Sequence, residues 1–354
     1  MIRPVSTWPH AWQGRRSSTR AKDDHRGQRD RASNPRVDHG RLMAPEELNP
    51  KSGIVAAVDF SEASSRQSGQ GGTEAMSRSG LTTEQIMTIA DDLAGATSMA
   101  ADSAIYVPGR DISRVMMGID VGAAELLLGR ELGVDAVIAH HPAGGAAQLN
   151  FPRVMKRQVD LMVEAGVPLE VAKRAIQPRL SALMIRAHSL NHDHAPSIAR
   201  LLKVPFLNIH LPLDEAGRQI MDTAVQTHLA TLNRPALVSD VIAGLMTIPE
   251  IQSAPTHVMV PVGRLDNPAG TVVIFHGAGT NGGFAVAEAL FSHGVGTIVY
   301  IHVAPEDVER LRALHLPDAN LVISGHIASD LIGINRFVDK LESVGVSVVR
   351  MSGL

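Results

Sequence analysis

Asp135-Ala-Val-Ile-Ala-His140-His141-Pro142 puts two imidazoles at the end of a short apolar run. Imidazole binds transition metals and carries protons near neutral pH, the two tasks a hydrolytic metal site needs. The apolar run reads as a buried strand. Pro142 ends it, because proline cannot donate to a sheet ladder. Consecutive strand residues point to opposite faces, so on a continuous strand the pair would be one packed and one surface histidine. Both rings can meet one site only where the strand stops and the backbone turns. That edge of an open α/β sheet is where ligands bind.

Two further places have the same design. His210-Leu-Pro-Leu-Asp214 follows a strand over 203–210, and Ser324-Gly-His326-Ile-Ala-Ser-Asp330 follows a strand over 319–324. Taken singly, each has a plain structural role. Asp214 would cap a helix, His210 would be a satisfied core histidine, and His326/Asp330 would share one helical face. Taken together, three strand ends offer three or more imidazoles and two carboxylates. Well-separated segments on a rigid sheet are what a site with several ligands requires. Two ions about 3.5–4 Å apart, bridged by a carboxylate, suit hydrolysis, one activating water and the other polarising the substrate.

Gly277-Ala-Gly279-Thr-Asn-Gly282-Gly283 fits G-x-G-x-x-G between a strand and a helix. A dinucleotide site also wants an acidic residue at the next strand end, and His302 stands there instead. The glycines are therefore expected to let the backbone approach the metal site or a bound phosphate. His188, His192 and His194 read as a solvated surface cluster.

The elements that must position these residues alternate. Helices are expected from Thr82, whose Thr-Thr-Glu-Gln run is a capping box, and over 122–132, 151–165, 168–187 and 211–232, with a short one opened by Pro196. More follow over 236–253, 283–292, 305–314 and 327–343. Strands are expected over 114–120, 135–139, 203–210, 257–262, 271–276, 297–302, 319–324 and 346–350. The last helix carries Ile327, Leu331, Ile334, Val338 and Leu341 as one buried stripe. The class is α/β, with mixed sheets flanked by helices.

Bulk properties narrow the chemistry. The 354 residues carry a net charge of −3 and no Cys. Thiolate nucleophiles, disulfides and thiolate zinc sites are excluded, and any metal must be held by His, Asp, Glu or backbone oxygen. No apolar run reaches the roughly 18 residues that span a bilayer. Residues 1–41 hold ten Lys and Arg against four Asp and Glu, and 61–80 are rich in Ser, Gly and Gln. Residues 1–79 are expected to be a disordered extension, with a true start near Met76. The globular domain, 80–354, has two lobes, roughly 80–235 and 236–354.

With these stretches in view, the chain from about Leu81 to Leu354 resembles the Nif-three-like family, whose members are also described as type 2 GTP cyclohydrolase I homologues. The resemblance is carried by Gly133-Val-Asp-Ala-Val-Ile-Ala-His-His-Pro142, Asn208-Ile-His-Leu-Pro-Leu-Asp214, Gly277-Ala-Gly-Thr-Asn-Gly-Gly283 and Ser324-Gly-His-Ile-Ala-Ser-Asp330. It implies a Nif-three-like α/β fold with a dinuclear metal centre, often in a toroidal homohexamer. The ligands implied are His140, His141, Asp214, His326 and Asp330, with His210 close by. The family usually has Glu where this chain has Asp330, and a Gly-Glu pair where His302 stands. The tract over 166–203 looks like an extra piece, a lid or an oligomer contact. The small central domain that some members insert is expected to be absent.

The expected function is that of a cytoplasmic, metal-dependent hydrolase of a small phosphorylated or nucleotide-like substrate. Two divalent ions, drawn from Zn, Mn, Fe, Co or Ni, would be its cofactors, and His210 its proton shuttle. The alternatives are a non-catalytic metal-binding oligomeric scaffold or regulator, and a nucleotide-binding protein using the 277–283 loop. No nucleic acid or membrane partner is expected for the globular domain. The cyclohydrolase label fixes no substrate, since a fold and a metal site do not.

Overall fold

The computed structural model describes residues 80–277 and 282–354. The extension over 1–79 and the centre of the glycine loop, 278–281, lie outside the described residues.

The first helix, α1 (Thr83–Ala94), has the expected box. The Thr82 hydroxyl accepts from the Gln85 amide, and the Gln85 side chain accepts from the Thr82 amide. There follow β1 (Ala104–Val107), β2 (Arg114–Gly118), α2 (Ala123–Glu131) and β3 (Ala136–Ala139). A helical stretch comes next, with α3 (Gly145–Asn150), a tighter turn at Phe151–Met155, α4 (Lys156–Glu164), α5 (Leu169–Ala187) and α6 (His194–Leu202). Then β4 (Phe206–Asn208) leads into α7 (Leu211–Ala230), α8 (Val238–Leu245), α9 (Pro249–Gln252) and β5 (Met259–Val262). The remainder is β6 (Thr271–Phe275), α10 (Gly283–Ser292), β7 (Val295–Tyr300), α11 (Pro305–Ala313), β8 (Asn320–Ile323), α12 (His326–Ser343) and β9 (Ser347–Met351).

The strands form two sheets, ordered β1-β4-β3-β2-β9 and β5-β8-β7-β6. Four strands in each take the same order, with the first antiparallel to the fourth and the others parallel. The topology is thus duplicated although the sequence shows no short repeat. The first sheet takes β1 to β4 and the second β5 to β8, and two elements cross between these halves of the chain. β9 returns to pair with β2, and α5 buries Ala172 and Ile176 in the core that holds Phe275 and Tyr300 of the second sheet. The first half of the 166–203 tract therefore packs one face against the core.

Both faces of each sheet are covered, which is why the strands read as apolar runs and not as alternations. Val115, Met117 and Ile138 pack with α1 and α12, while Met116 and Val137 pack with α2 and α6. The stripe expected on α12 is only half right. Ile334, Val338 and Leu341 are buried, but Ile327 is 43% exposed. Ile332 instead packs into a second core, beside Ile274 and Val299. The helix is sandwiched between cores, so one stripe cannot describe it.

α7 and α12 cross at glycines. A Cβ on Gly333 would collide with the Leu213 carbonyl oxygen, so no larger residue fits without moving backbone. The two helices share one pattern, His210-x-x-x-Asp214-x-x-Gly217 and His326-x-x-x-Asp330-x-x-Gly333. The glycine crossing brings the two His/Asp pairs against each other.

Candidate metal centre

The carboxyl ends of β3, β4 and β8 meet at this crossing, and the side chains that follow them converge. His140 Nε2 lies 3.1 Å from Asp214 Oδ1 and 3.7 Å from Asp330 Oδ2. The same Asp330 oxygen is 3.6 Å from His141 Nε2 and 3.2 Å from His326 Nε2. His210 Nε2 is 3.6 Å from Asp214 Oδ2. Three groups have ligand atoms within 4.8 Å of one another: His140, Asp214 and Asp330; His141, His326 and Asp330; and His140, His141 and His210. The five residues expected as ligands fall in these groups, and so does His210, expected as a proton shuttle beside them. Asp214 does not cap α7, since His210 holds that position and Asp214 sits buried in the first turn.

Hydrogen bonds on the far side of each ring decide which nitrogen faces the cluster. His140 Nδ1 donates to the Ile209 carbonyl at 3.0 Å. His141 Nδ1 is 2.8 Å from Asp120 Oδ1, and His210 Nδ1 is 2.7 Å from Asp102 Oδ2. Carbonyls and carboxylates only accept, so Nδ1 carries the hydrogen and a neutral ring turns the Nε2 lone pair inward.

Those lone pairs face carboxylate oxygens. Among the described residues, His140 Nε2, both Asp214 oxygens and Asp330 Oδ2 are buried with no hydrogen-bond partner. Acceptors pressed against acceptors in a closed site need positive charge between them. Divalent cations meet that need, and a donor set of imidazole and carboxylate suits borderline ions. The buried histidines and aspartates are thus able to bind metal ions.

Without ions, protons supply the charge. Burial works to lower the pKa of His210, but the Asp214 and Asp102 carboxylates outweigh it and lift the value to about 9. Burial pushes Asp214 and Asp330 up, yet the surrounding imidazoles hold both below the usual carboxylate range. His302 moves the other way, down to about 4, because it is buried and lies beside His326 and Arg179.

The cluster is closed on one side and open on the other. The His140 and Asp214 side chains have no exposure, whereas His141 is 25% and His326 35% exposed. A cavity of about 400 Å3 adjoins His141, bordered by Asp120, Gln148 and Asn191. A wider groove of about 820 Å3 along α1, α7 and α12 is lined by none of the cluster residues.

His188, His192 and His194 are exposed and join none of the three groups, in keeping with a solvated cluster. The His302 ring is 4.7 Å from that of His326, beside the ligand groups but outside them. Gly277 has φ 85°, and a Cβ there would sit 3.0 Å from Asp214 Cβ. The first glycine of the loop thus permits the close approach expected of it. Asp102, Asp120 and His276 were not anticipated. His276 Nε2 is 3.0 Å from the Ser329 carbonyl and 3.9 Å from Asp330 Oδ1. Its place at a strand end was the available signal.

A crystal structure of a NIF3 superfamily protein from Sphaerobacter thermophilus matches with TM-score 0.76 and 58% identity, covering 78% of this chain and 100% of the other. Weaker likenesses extend to a hypothetical protein of Staphylococcus aureus (12% identity, 77% and 96% coverage, TM-score 0.45) and a Bacillus cereus protein related to NIF3 (10%, 76% and 96%, TM-score 0.44). No protein-family model matches the chain, and no curated protein does.

Proposed function

The chain belongs to the NIF3 superfamily, and on that footing we propose that it carries a dinuclear metal centre and uses it to hydrolyse a small phosphorylated or nucleotide-like substrate. The observation that carries this reading is Asp330 Oδ2, shared between a buried group with His140 and Asp214 and a partly open group with His141 and His326. A carboxylate placed between two such groups is suited to bridging. Divalent ions bound there, of the Zn, Mn, Fe, Co or Ni type, would supply an acidified water and a Lewis acid for the electrophilic centre of the substrate.

The chain's own residues do the rest. His140, Asp214 and Asp330 form the closed floor. His141 and His326 line the open side, where the adjoining cavity leaves room for a substrate. His210 takes up a proton at Nε2, the nitrogen that Asp102 leaves free.

The test is a turnover screen of metal-replete protein against phosphoesters, nucleotides and cyclic amides. Hydrolysis that disappears in His141→Ala supports the reading; no turnover of any class by protein with a full metal complement defeats it. A second reading is a non-catalytic metal-binding oligomer, the hexameric scaffold that the family resemblance implies. Apolar side chains exposed on α5 and α6 favour it, with Ile185 73% and Leu201 83% exposed. Sedimentation of the purified protein, run beside the turnover screen, separates the two.

A further inference from the structure

One buried carboxylate belongs to none of the three ligand groups. Asp102 lies between α1 and β1 with no solvent exposure. Its Oδ2 is 2.7 Å from His210 Nδ1, and its Oδ1 accepts from the Leu211 amide at 3.4 Å. The segment that carries it is tied to the end of β4 by three further bonds. Asn208 Nδ2 donates to the Asp102 carbonyl at 2.8 Å, and the His210 amide donates to Ser103 Oγ at 3.1 Å. The Tyr106 hydroxyl donates to Asn208 Oδ1 at 2.6 Å, which turns the amide nitrogen of Asn208 toward Asp102.

The three inward-facing rings differ in what lies behind them. His140 rests on a backbone carbonyl, and His141 rests on Asp120, whose side chain is 77% exposed. Only His210, of these three, has a carboxylate sealed from water. Such an acceptor has no solvent to turn to, so it holds the ring's hydrogen and orientation more firmly than an exposed one.

We propose that Asp102 is a positioning residue that fixes His210 in the tautomer with hydrogen on Nδ1, so that the Nε2 lone pair is presented to the metal centre. This rests on the reading of His210 as the group that takes up a proton, and it adds the residue that makes the uptake possible. Asp102 is a member of none of the three ligand groups and acts on the cluster only through the His210 ring.

The test is side-chain nitrogen-15 NMR of the histidines in the zinc-loaded protein, with Asp102→Asn and Ser103→Ala beside the wild type. His210 is expected to show hydrogen on Nδ1 and none on Nε2, with the Nδ1 proton far downfield and slow to exchange. Asp102→Asn should move that proton upfield or lose it. Ser103→Ala removes a bond from the same segment without touching the ring, and should leave the signal in place. Hydrogen on Nε2 in the wild type, or an unchanged signal in a folded Asp102→Asn protein, overturns the proposal. If Asp102→Asn does not fold, the wild-type spectrum alone decides. The readout does not need turnover. A correct tautomer in a protein without hydrolytic activity would sink the hydrolase reading alone; the wrong tautomer in an active enzyme would sink this proposal alone.

Discussion

His140 Nε2 and Asp214 Oδ1 stand 3.1 Å apart, sealed from solvent, with no hydrogen bond between them. The pair is comfortable only with a cation beside it. Ions that bind the folded state and not the unfolded one stabilise it by about 2.7 kcal/mol at a hundredfold excess over Kd. The metal-replete wild type should therefore melt well above the EDTA-treated protein. Asp214→Asn should erase most of that gap. Melting curves of both proteins with and without EDTA check this, and an equal gap in the variant would speak against Asp214 as a ligand.

The metal-free protein should have a stability maximum near the ordinary imidazole pKa, about 6.5. The folded-state value of His210 is raised to about 9, so its contribution is complete below about 6.5 and is lost as pH rises through 9. His302 is depressed to about 4, so stability falls as pH drops from about 6.5 toward 4, where the unfolded chain takes up the proton first. Urea midpoints in EDTA from pH 4 to 9.5 test both limbs. A midpoint that climbs steadily above pH 7 would contradict the His210 assignment.

The crossing of α7 and α12 should tolerate nothing larger than glycine at 333. A methyl group there collides with the Leu213 carbonyl oxygen, and backbone must shift. Gly333→Ala is expected to cost about 3 kcal/mol. It should weaken metal binding as well, because the same crossing sets Asp330 against Asp214. Urea unfolding and a metal titration of the variant measure the two effects. A change below about 0.5 kcal/mol, the range of an indifferent surface site, would mean that the crossing is looser than drawn.

Tyr106 supports the turn that follows the histidine pair. Its hydroxyl accepts from the Ala143 and Gly144 amides, both at 3.1 Å, and donates to Asn208. Tyr106→Phe leaves all three partners unmatched at a loss of about 1–3 kcal/mol. Hydrogen exchange at Ala143 and Gly144 should accelerate more than exchange elsewhere. Uniform acceleration would assign the residue a general packing role.

Much of this was legible in the sequence, for physical reasons. Strand ends announce themselves through Pro142, Leu211-Pro212 and Gly325, and polar ligand-type residues just past them had few other uses. Asp330 stands where the resembling family usually has Glu. Although one methylene shorter than the family's usual Glu, its Oδ2 still comes within 3.2–3.7 Å of three imidazoles. Asp102 was invisible because it sits in an Ala/Ser-rich segment with no motif, and only the folded chain sets it behind His210. His276 directly precedes the glycine run, whose pattern is shared with nucleotide-binding loops and carries no sign of a metal site. The return of β9 to the first sheet and the two-sided burial of α12 are long-range pairings that local periodicity does not encode.

Elemental analysis of purified protein, set beside His141→Ala and Asp330→Ala, tests the shared centre most directly. Wild type should carry about two equivalents of divalent metal per chain. His141→Ala should lose the partly open position and keep about one, whereas Asp330→Ala, removing the oxygen common to both groups, should lose nearly all. A metal content that neither substitution changes would contradict the account.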